Sequence, residues 1–109
     1  MRPLQENDVF HAIAHPARRA ILMALKAGQK PVAELARPFD FSFAAMSQHL
    51  KTLKEAGLVK EHREGRNRVY QLQPRPLREV VSWAQEFEAF FEQRLDALER
   101  HLDRKYPKR

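Results

Sequence analysis

The sequence predicts a mainly helical protein that carries one small β-hairpin. Three observations support this fold class. Apolar residues recur every three or four positions in several segments before residue 57, as on the buried face of a helix. Two short runs of strand-forming residues then flank Gly65, and a long apolar seam follows in residues 77–104. Because 109 residues suffice for one hydrophobic core but not for two, we expect a single domain over residues 1–109.

A proline separates the first two predicted helices. Residues 8–14 form the first, whose apolar side consists of Phe10, Ile13 and Ala14. Pro16 disfavours helix in the residue before it and suits the first position of a second helix, residues 16–27. Gly28 then provides the stop for this second helix.

The fourth helix is the most clearly marked element of the chain, and a short third helix over residues 31–36 precedes it. Ser42 is a natural N-cap for this fourth helix, residues 43–56. Gly57 stands where helices often end in a left-handed residue, and the leucine after it is placed to pack on the last turn, as in a Schellman motif. The apolar stripe of the helix consists of Met46, Leu50 and Leu53.

A hairpin and a long helix complete the predicted elements. Residues 58–63 and 68–72 have the composition of two short strands, joined by a turn around Gly65. Neither Gly nor Pro interrupts the helix predicted over residues 77–104. Its apolar seam consists of Val80, Ala84, Phe87, Phe91, Leu95, Leu98 and Leu102, and Trp83 widens it.

This order of elements is that of a winged helix-turn-helix with an added C-terminal helix. Two segments make the resemblance specific, FHAIAHPARRAIL at residues 10–22 and MSQHLKTLKEAGLV at residues 46–59. They resemble the signature blocks of the ArsR (arsenical-resistance repressor) family of bacterial transcription regulators. The similarity extends over residues 8–103.

The resemblance implies a homodimeric transcription regulator, and specifically a repressor, that binds a palindromic operator in double-stranded DNA. It implies that residues 31–56 form the DNA-reading helix-turn-helix and residues 58–72 the wing. Residues 77–104 are then a long dimerisation helix, which shares the dimer interface with the first helix. The predicted interface residues are Phe10, Val80, Trp83, Phe87, Phe91, Leu95 and Leu98.

Charge independently favours a polyanionic partner. The chain has 20 Lys and Arg against 14 Asp and Glu, and most of the net charge of +6 lies in residues 1–74. Opposite its apolar stripe, the fourth helix is small, neutral and polar apart from one lysine, which suits close approach to base edges. A merely solvated helix face and a hairpin tip charged for solubility are the alternatives. The predicted DNA contacts are Phe43, Ala44, Ser47, Gln48 and Lys51 on the helix, and Arg63, Arg66, Asn67 and Arg68 in the wing.

Other polar residues near this surface have structural interpretations. His49 flanks the apolar stripe, where we expect a hydrogen bond at the edge of the core rather than base reading. One of the two neighbouring cations Arg18 and Arg19 is expected to form a structural ion pair.

The sequence predicts neither a metal site nor an enzyme. The chain contains no Cys, so the third helix lacks the Cys-x-Cys pair of soft-metal sensors in this family, and the last helix has only His101 with two poorly spaced aspartates. A Gly-rich phosphate loop and a Ser-His-acid motif are both missing, and we expect no cofactor. Without an apolar stretch of about 20 residues or a leader-like start, the expected location is cytoplasmic, away from the membrane.

Two other functions stay open at this point. One is a small helical interaction or adaptor module, whose basic charge is incidental. The other is a nucleoid-associated protein that binds DNA without regard to sequence. A regulator binds duplex DNA with an affinity that falls with salt, whereas an adaptor module does not. A regulator also has a high ratio of specific to non-specific affinity, which a nucleoid-associated protein lacks. The sequence names no effector.

Overall fold

The computed structural model of the protein describes residues 8–106. They form two compact units, of which the first ends at Arg78 and the second begins at Glu79. The mainly helical architecture with a β-hairpin wing and a C-terminal helical segment confirms the predicted fold class. The elements are α1 (Val9–Ile13), α2 (Pro16–Leu25), β1 (Lys30–Pro31), α3 (Val32–Ala36), α4 (Phe43–Glu55), β2 (Val59–Glu64), β3 (Asn67–Leu72), α5 (Leu77–Gln85) and α6 (Glu88–Lys105).

Three of the helices begin at a side chain that accepts a hydrogen bond from a backbone amide. The Asp8 carboxylate caps α1, Nδ1 of His15 caps α2 and the Ser42 hydroxyl caps α4, at 2.9 to 3.0 Å from the amide nitrogen. Each bond satisfies one amide that the first helical turn leaves without a partner. The predicted roles of Ser42 as an N-cap and of Pro16 as the first residue of α2 are confirmed.

The end of α4 is the predicted Schellman motif. Gly57 has a φ of +76°, a left-handed conformation that glycine adopts without the steric cost of a Cβ atom. Its amide donates to the carbonyl of Lys54, and the amide of Leu58 donates to the carbonyl of Leu53, both at 3.0 Å. These two bonds satisfy the last carbonyls of the helix and turn the chain directly into β2.

The sheet has one strand more than the sequence predicts. Its order is β1-β3-β2, with both pairs antiparallel, so β3 lies in the middle. The extra strand β1 is two residues long and pairs Lys30 with Tyr70 and Pro31 with Val69. Pro31 is consequently the N-cap of α3, and that helix begins one residue later than predicted.

The core of the first unit lies between the helices and the sheet. The predicted stripe of α4 is buried. In α1, however, Val9 and Ala12 are buried while Ala14 is exposed, so the predicted apolar side was wrong. Val9 and Ala12 lie three residues apart, so in a helix they share one face, and this face packs toward α2 and α4. The largest buried side chains are Tyr70, Ile21, Leu25, Leu35, Leu50, Leu53, Leu58 and Val69.

The C-terminal segment is two helices rather than the single helix predicted. α5 ends in a tight turn in which the amides of Glu86 and Phe87 donate to carbonyls three residues earlier. Phe87 then serves as the N-cap of α6, without a side-chain cap. Because this break contains neither Gly nor Pro, no helix-breaking residue in the sequence marks it.

Candidate nucleic-acid interface

The outward face of α4 carries the five helix residues predicted to read DNA. Burial of the stripe on the opposite side fixes the rotation of the helix. Gln48, Lys51 and Ala44 are consequently exposed, and Ser47 is half-buried. Phe43, the first residue of the helix, is 79% exposed. Small, amide and hydroxyl groups therefore occupy this surface, with one cation and one aromatic ring at its margins.

The wing ends in a tight two-residue turn that exposes its predicted contacts. Glu64 pairs with Asn67 across the hairpin, which leaves Gly65 and Arg66 as the turn. Of these two turn residues, only Gly65 has a positive φ, at +62°, and this fits a type II′ turn. The side chains of Arg63, Arg66 and Asn67 are exposed around the turn.

Arg68, the fourth predicted wing contact, is engaged at the base of the wing. Its Nη2 donates to Oε2 of Glu61 at 3.0 Å and to the hydroxyl of Tyr70 at 2.6 Å. The Tyr70 hydroxyl in turn donates to the same Glu61 oxygen at 2.7 Å, and Nζ of Lys54, on α4, lies 3.8 Å from it. We call these four residues the wing-base cluster. The contact of Arg68 with DNA stays a prediction.

The cluster favours the charged form of Glu61 and the neutral form of Tyr70. The hydrogen bonds from Arg68 and Tyr70 lower the pKa of Glu61 to about 2, against the opposing effect of burial. Burial, together with the nearby Glu61 carboxylate, raises the pKa of Tyr70 to about 12. At neutral pH Glu61 is therefore a carboxylate, and Tyr70, which is 1% exposed, is a neutral phenol.

A cleft lies between α4 and the wing. The outward residues Ser47 and Lys51 of α4 line it together with Leu50 and the whole wing-base cluster. The structure thus brings two of the predicted helix contacts and one predicted wing contact to a single surface. Phe43 and Ala44 lie at the other end of α4, and Arg66 lies at the wing tip, outside the cleft lining.

Two arginines that precede this surface hold α1 in place. Arg18 donates from Nε to the carbonyl of Ala12 at 2.7 Å and from Nη2 to that of His11 at 2.8 Å. Arg19 donates from Nη1 to the carbonyl of Ile13 at 2.7 Å. Both guanidinium groups therefore bind the carbonyl end of α1, where the helix dipole favours cations. The ion pair that the sequence predicts for one of these arginines stays a prediction.

His49 lies at the flank of the α4 core, as predicted, but it packs there by ring contacts. Its ring centroid is 4.7 Å from that of His15 and 5.4 Å from that of Phe41. Nδ1 is buried and has no hydrogen-bond partner among the described residues, unlike the predicted bond. Burial first, and then His15 and Arg18, lower the pKa of His49, so the neutral imidazole is favoured.

The predicted dimer contacts occur in both units. Phe10 is half-buried in α1, and Val80 is half-buried in α5. The remaining five lie in the second unit with large exposed fractions, from 46% for Phe87 to 64% for Leu95. The residues of this exposed apolar row are Trp83, Phe87, Phe91, Leu95 and Leu98.

Comparison with known proteins agrees with this geometry. A family model described as a helix-turn-helix domain matches residues 13–62. The transcriptional repressor SdpR of Bacillus subtilis is 37% identical over 81 residues, which cover 74% of this chain and 90% of that protein. A crystal structure of an ArsR family transcriptional regulator has a TM-score of 0.71 and 33% identity, over 84% of this chain and 97% of that one. The chain belongs to the ArsR family of winged helix-turn-helix transcription regulators.

Two further similar proteins support the assignment. The HTH-type transcriptional regulator Rv2034 of Mycobacterium tuberculosis is 48% identical over 68 residues, 62% of this chain and 64% of that protein. A crystal structure of a possible transcriptional regulator for arsenical resistance has a TM-score of 0.67 and 35% identity, over 90% of this chain. The protein is thus a DNA-binding transcriptional repressor of the ArsR family rather than an enzyme.

Within the described part of the chain, no three His, Cys, Asp or Glu side chains come together as metal ligands would. The absence of a metal cofactor stays a prediction. None of the helices in residues 8–106 is long and apolar enough to span a bilayer.

Proposed function

We propose that the protein binds a two-fold symmetric operator as a homodimer, with α4 in the major groove and the wing on the flanking backbone. The exposed neutral face of α4 supports this proposal most strongly, because the buried stripe behind it holds that face in one orientation. A helix face that only contacts water would more often carry several charged side chains than such small, weakly charged ones. The cytoplasm, which contains the chromosome in bacteria, is the proposed location.

Reading and anchoring fall to different residues in this proposal. Gln48 projects from the middle of α4, and its amide can donate and accept, as a bidentate contact to adenine requires. Ser47, Ala44 and Phe43 complete the surface that faces base edges. Lys51 and the cations of the wing tip, which carry no sequence information themselves, bind phosphate or a narrow minor groove. The proposed wing contacts are Arg63, Arg66 and Asn67, whereas the guanidinium of Arg68, the fourth wing contact that the sequence predicts, is engaged in the wing-base cluster.

A second copy of the chain is the proposed occupant of the exposed apolar row on α5 and α6. Five large apolar side chains in one short unit exceed what a monomer ordinarily leaves in water. Two copies of the row would cover each other in a two-fold interface, and the pair would present two α4 helices to two half-sites. Residues 1–109 act as one functional domain in this arrangement.

The test begins with selection of bound sequences from randomised duplexes by the wild-type protein. A selected duplex and its scrambled version are then titrated at three salt concentrations. We expect a palindromic sequence, a preference of at least about 10³-fold, and a slope of log affinity against log salt of roughly −5 to −9 for about 6–10 phosphate contacts. Zinc, arsenite or a chelator should leave these values unchanged.

The alternatives predict other outcomes. Equal affinity for the selected and scrambled duplexes would favour the nucleoid-associated protein. Failure to bind any duplex would favour the adaptor module. Sedimentation of the wild type as a folded monomer at micromolar concentration would contradict the homodimer.

A further inference from the structure

The wing-base cluster places a carboxylate among the cations beside the proposed DNA surface. One oxygen of Glu61 receives hydrogen bonds from Arg68 and Tyr70, and Lys54 lies within ion-pair distance of it. The Glu61 side chain is only 22% exposed, whereas that of Lys54 is 56% exposed. Glu61 is therefore held in place at the floor of the cleft, and its two cationic partners lie closer to solvent.

The register of the hairpin brings two arginines together near Glu61, so the carboxylate of Glu61 offsets their repulsion. Glu61 lies directly opposite Tyr70, and Arg68 lies directly opposite Arg63. Like charges in opposite positions repel each other. The carboxylate of Glu61 offsets this repulsion, and its short contact with Arg68 turns that guanidinium toward the wing base.

We propose that Glu61 is a specificity-determining residue. It restrains Arg68 and Lys54, and this restraint lowers the affinity for non-specific DNA more than it lowers the affinity for the operator. This inference rests on the proposed DNA binding. Non-specific binding is almost entirely electrostatic, so each restrained cation lowers it directly. Operator binding also depends on base contacts and on the position of the wing, which the same restraint keeps constant.

Glu61→Gln tests the proposal, because glutamine keeps the shape of the side chain and removes its charge. If one cation per protomer gains a phosphate contact, affinity for the scrambled duplex should rise at 0.1 M salt by on the order of tenfold per contact, or up to about 10²-fold for a dimer. The salt slope should become steeper by about two for a dimer. Affinity for the selected duplex should rise less, so that the specificity ratio falls.

Glu64→Gln is the matched control. It makes the same change of charge in the same hairpin, but Glu64 contacts His62 and Gln29 rather than the cluster. We expect its salt slope to match that of the wild type. If both variants raise affinity and slope equally, or if Glu61→Gln leaves the specificity ratio unchanged, the proposal is overturned.

A double variant keeps the test decisive should Glu61→Gln fail to fold. Glu61→Gln with Arg68→Gln replaces the ion pair by two neutral side chains and keeps the net charge. A restrained Arg68 makes no phosphate contact, so the salt slope of this variant should be no shallower than that of the wild type, whether or not Lys54 is released. A slope about two units shallower would place Arg68 on phosphate and overturn the proposal. A wild type that binds no duplex would instead overturn the proposed function, and this inference with it.

Discussion

Phe91→Asp should dissociate the proposed dimer while leaving the first unit folded. Phe91 is 58% exposed, and α6 contains no buried residue in the protomer. Of the roughly 200 Å² that a phenylalanine can bury, the partner would cover up to about 120 Å². At about 25 cal/mol per Å² this burial contributes up to about 3 kcal/mol per protomer and about 6 kcal/mol per dimer. The dissociation constant should consequently rise by up to about 10⁴-fold.

Sedimentation velocity over a concentration series measures the dissociation constant directly. Gln93→Asp is the matched control, because it introduces the same charge on the same helix, about 200° around the axis from Phe91. Circular dichroism of both variants monitors the fold. A change of less than about tenfold for Phe91→Asp, or an equal change for Gln93→Asp, would refute the placement of this row in a dimer interface.

Three further predictions concern reading, strain and acid stability. Gln48→Ala should cost about 1–3 kcal/mol on the selected duplex and little on the scrambled one, whereas Arg66→Ala should weaken both similarly in parallel titrations. Gly57→Ala should lower the free energy of unfolding by about 1–2 kcal/mol in urea denaturation, since its φ of +76° disfavours a Cβ atom. Because the folded pKa of Glu61 is about 2 against an ordinary 4.5, its stabilisation is present above pH 4.5 and lost as pH falls toward 2. Glu61→Gln should therefore lose less stability than the wild type between pH 5 and pH 2, as urea midpoints would report.

Local signals made α4 and its surroundings predictable. A capping serine, a left-handed glycine and an apolar stripe act within one or two turns, so Ser42, Gly57 and the stripe appear in the structure as the sequence predicts. The outward face follows from the stripe by helical geometry alone. The assignment of residues to DNA contact, by contrast, depends on a partner and stays a prediction.

Long-range pairing made other features unpredictable. β1 exists because Lys30 meets Tyr70, which lies 40 positions further along the chain, and two residues carry no strand periodicity. The wing-base cluster requires the hairpin register that sets Glu61 opposite Tyr70. The sequence did contain a signal for this cluster, because Glu61 lies on one predicted strand and Arg68 and Tyr70 lie two positions apart on the next. That pattern identifies a cross-strand cluster only once the register is known.

The position of β3 has a mechanical consequence. Since β1 joins β3 on the side away from β2, the wing is the outer part of a three-stranded sheet rather than a separate hairpin. Pro31 belongs to that sheet and is also the N-cap of α3, so the sheet continues directly into the predicted helix-turn-helix. A displacement of the wing tip by a phosphate contact would therefore be transmitted along β3 to the first turn of α3. In the proposed complex, the contact at the wing tip and the position of α3, the helix that precedes α4, would therefore change together.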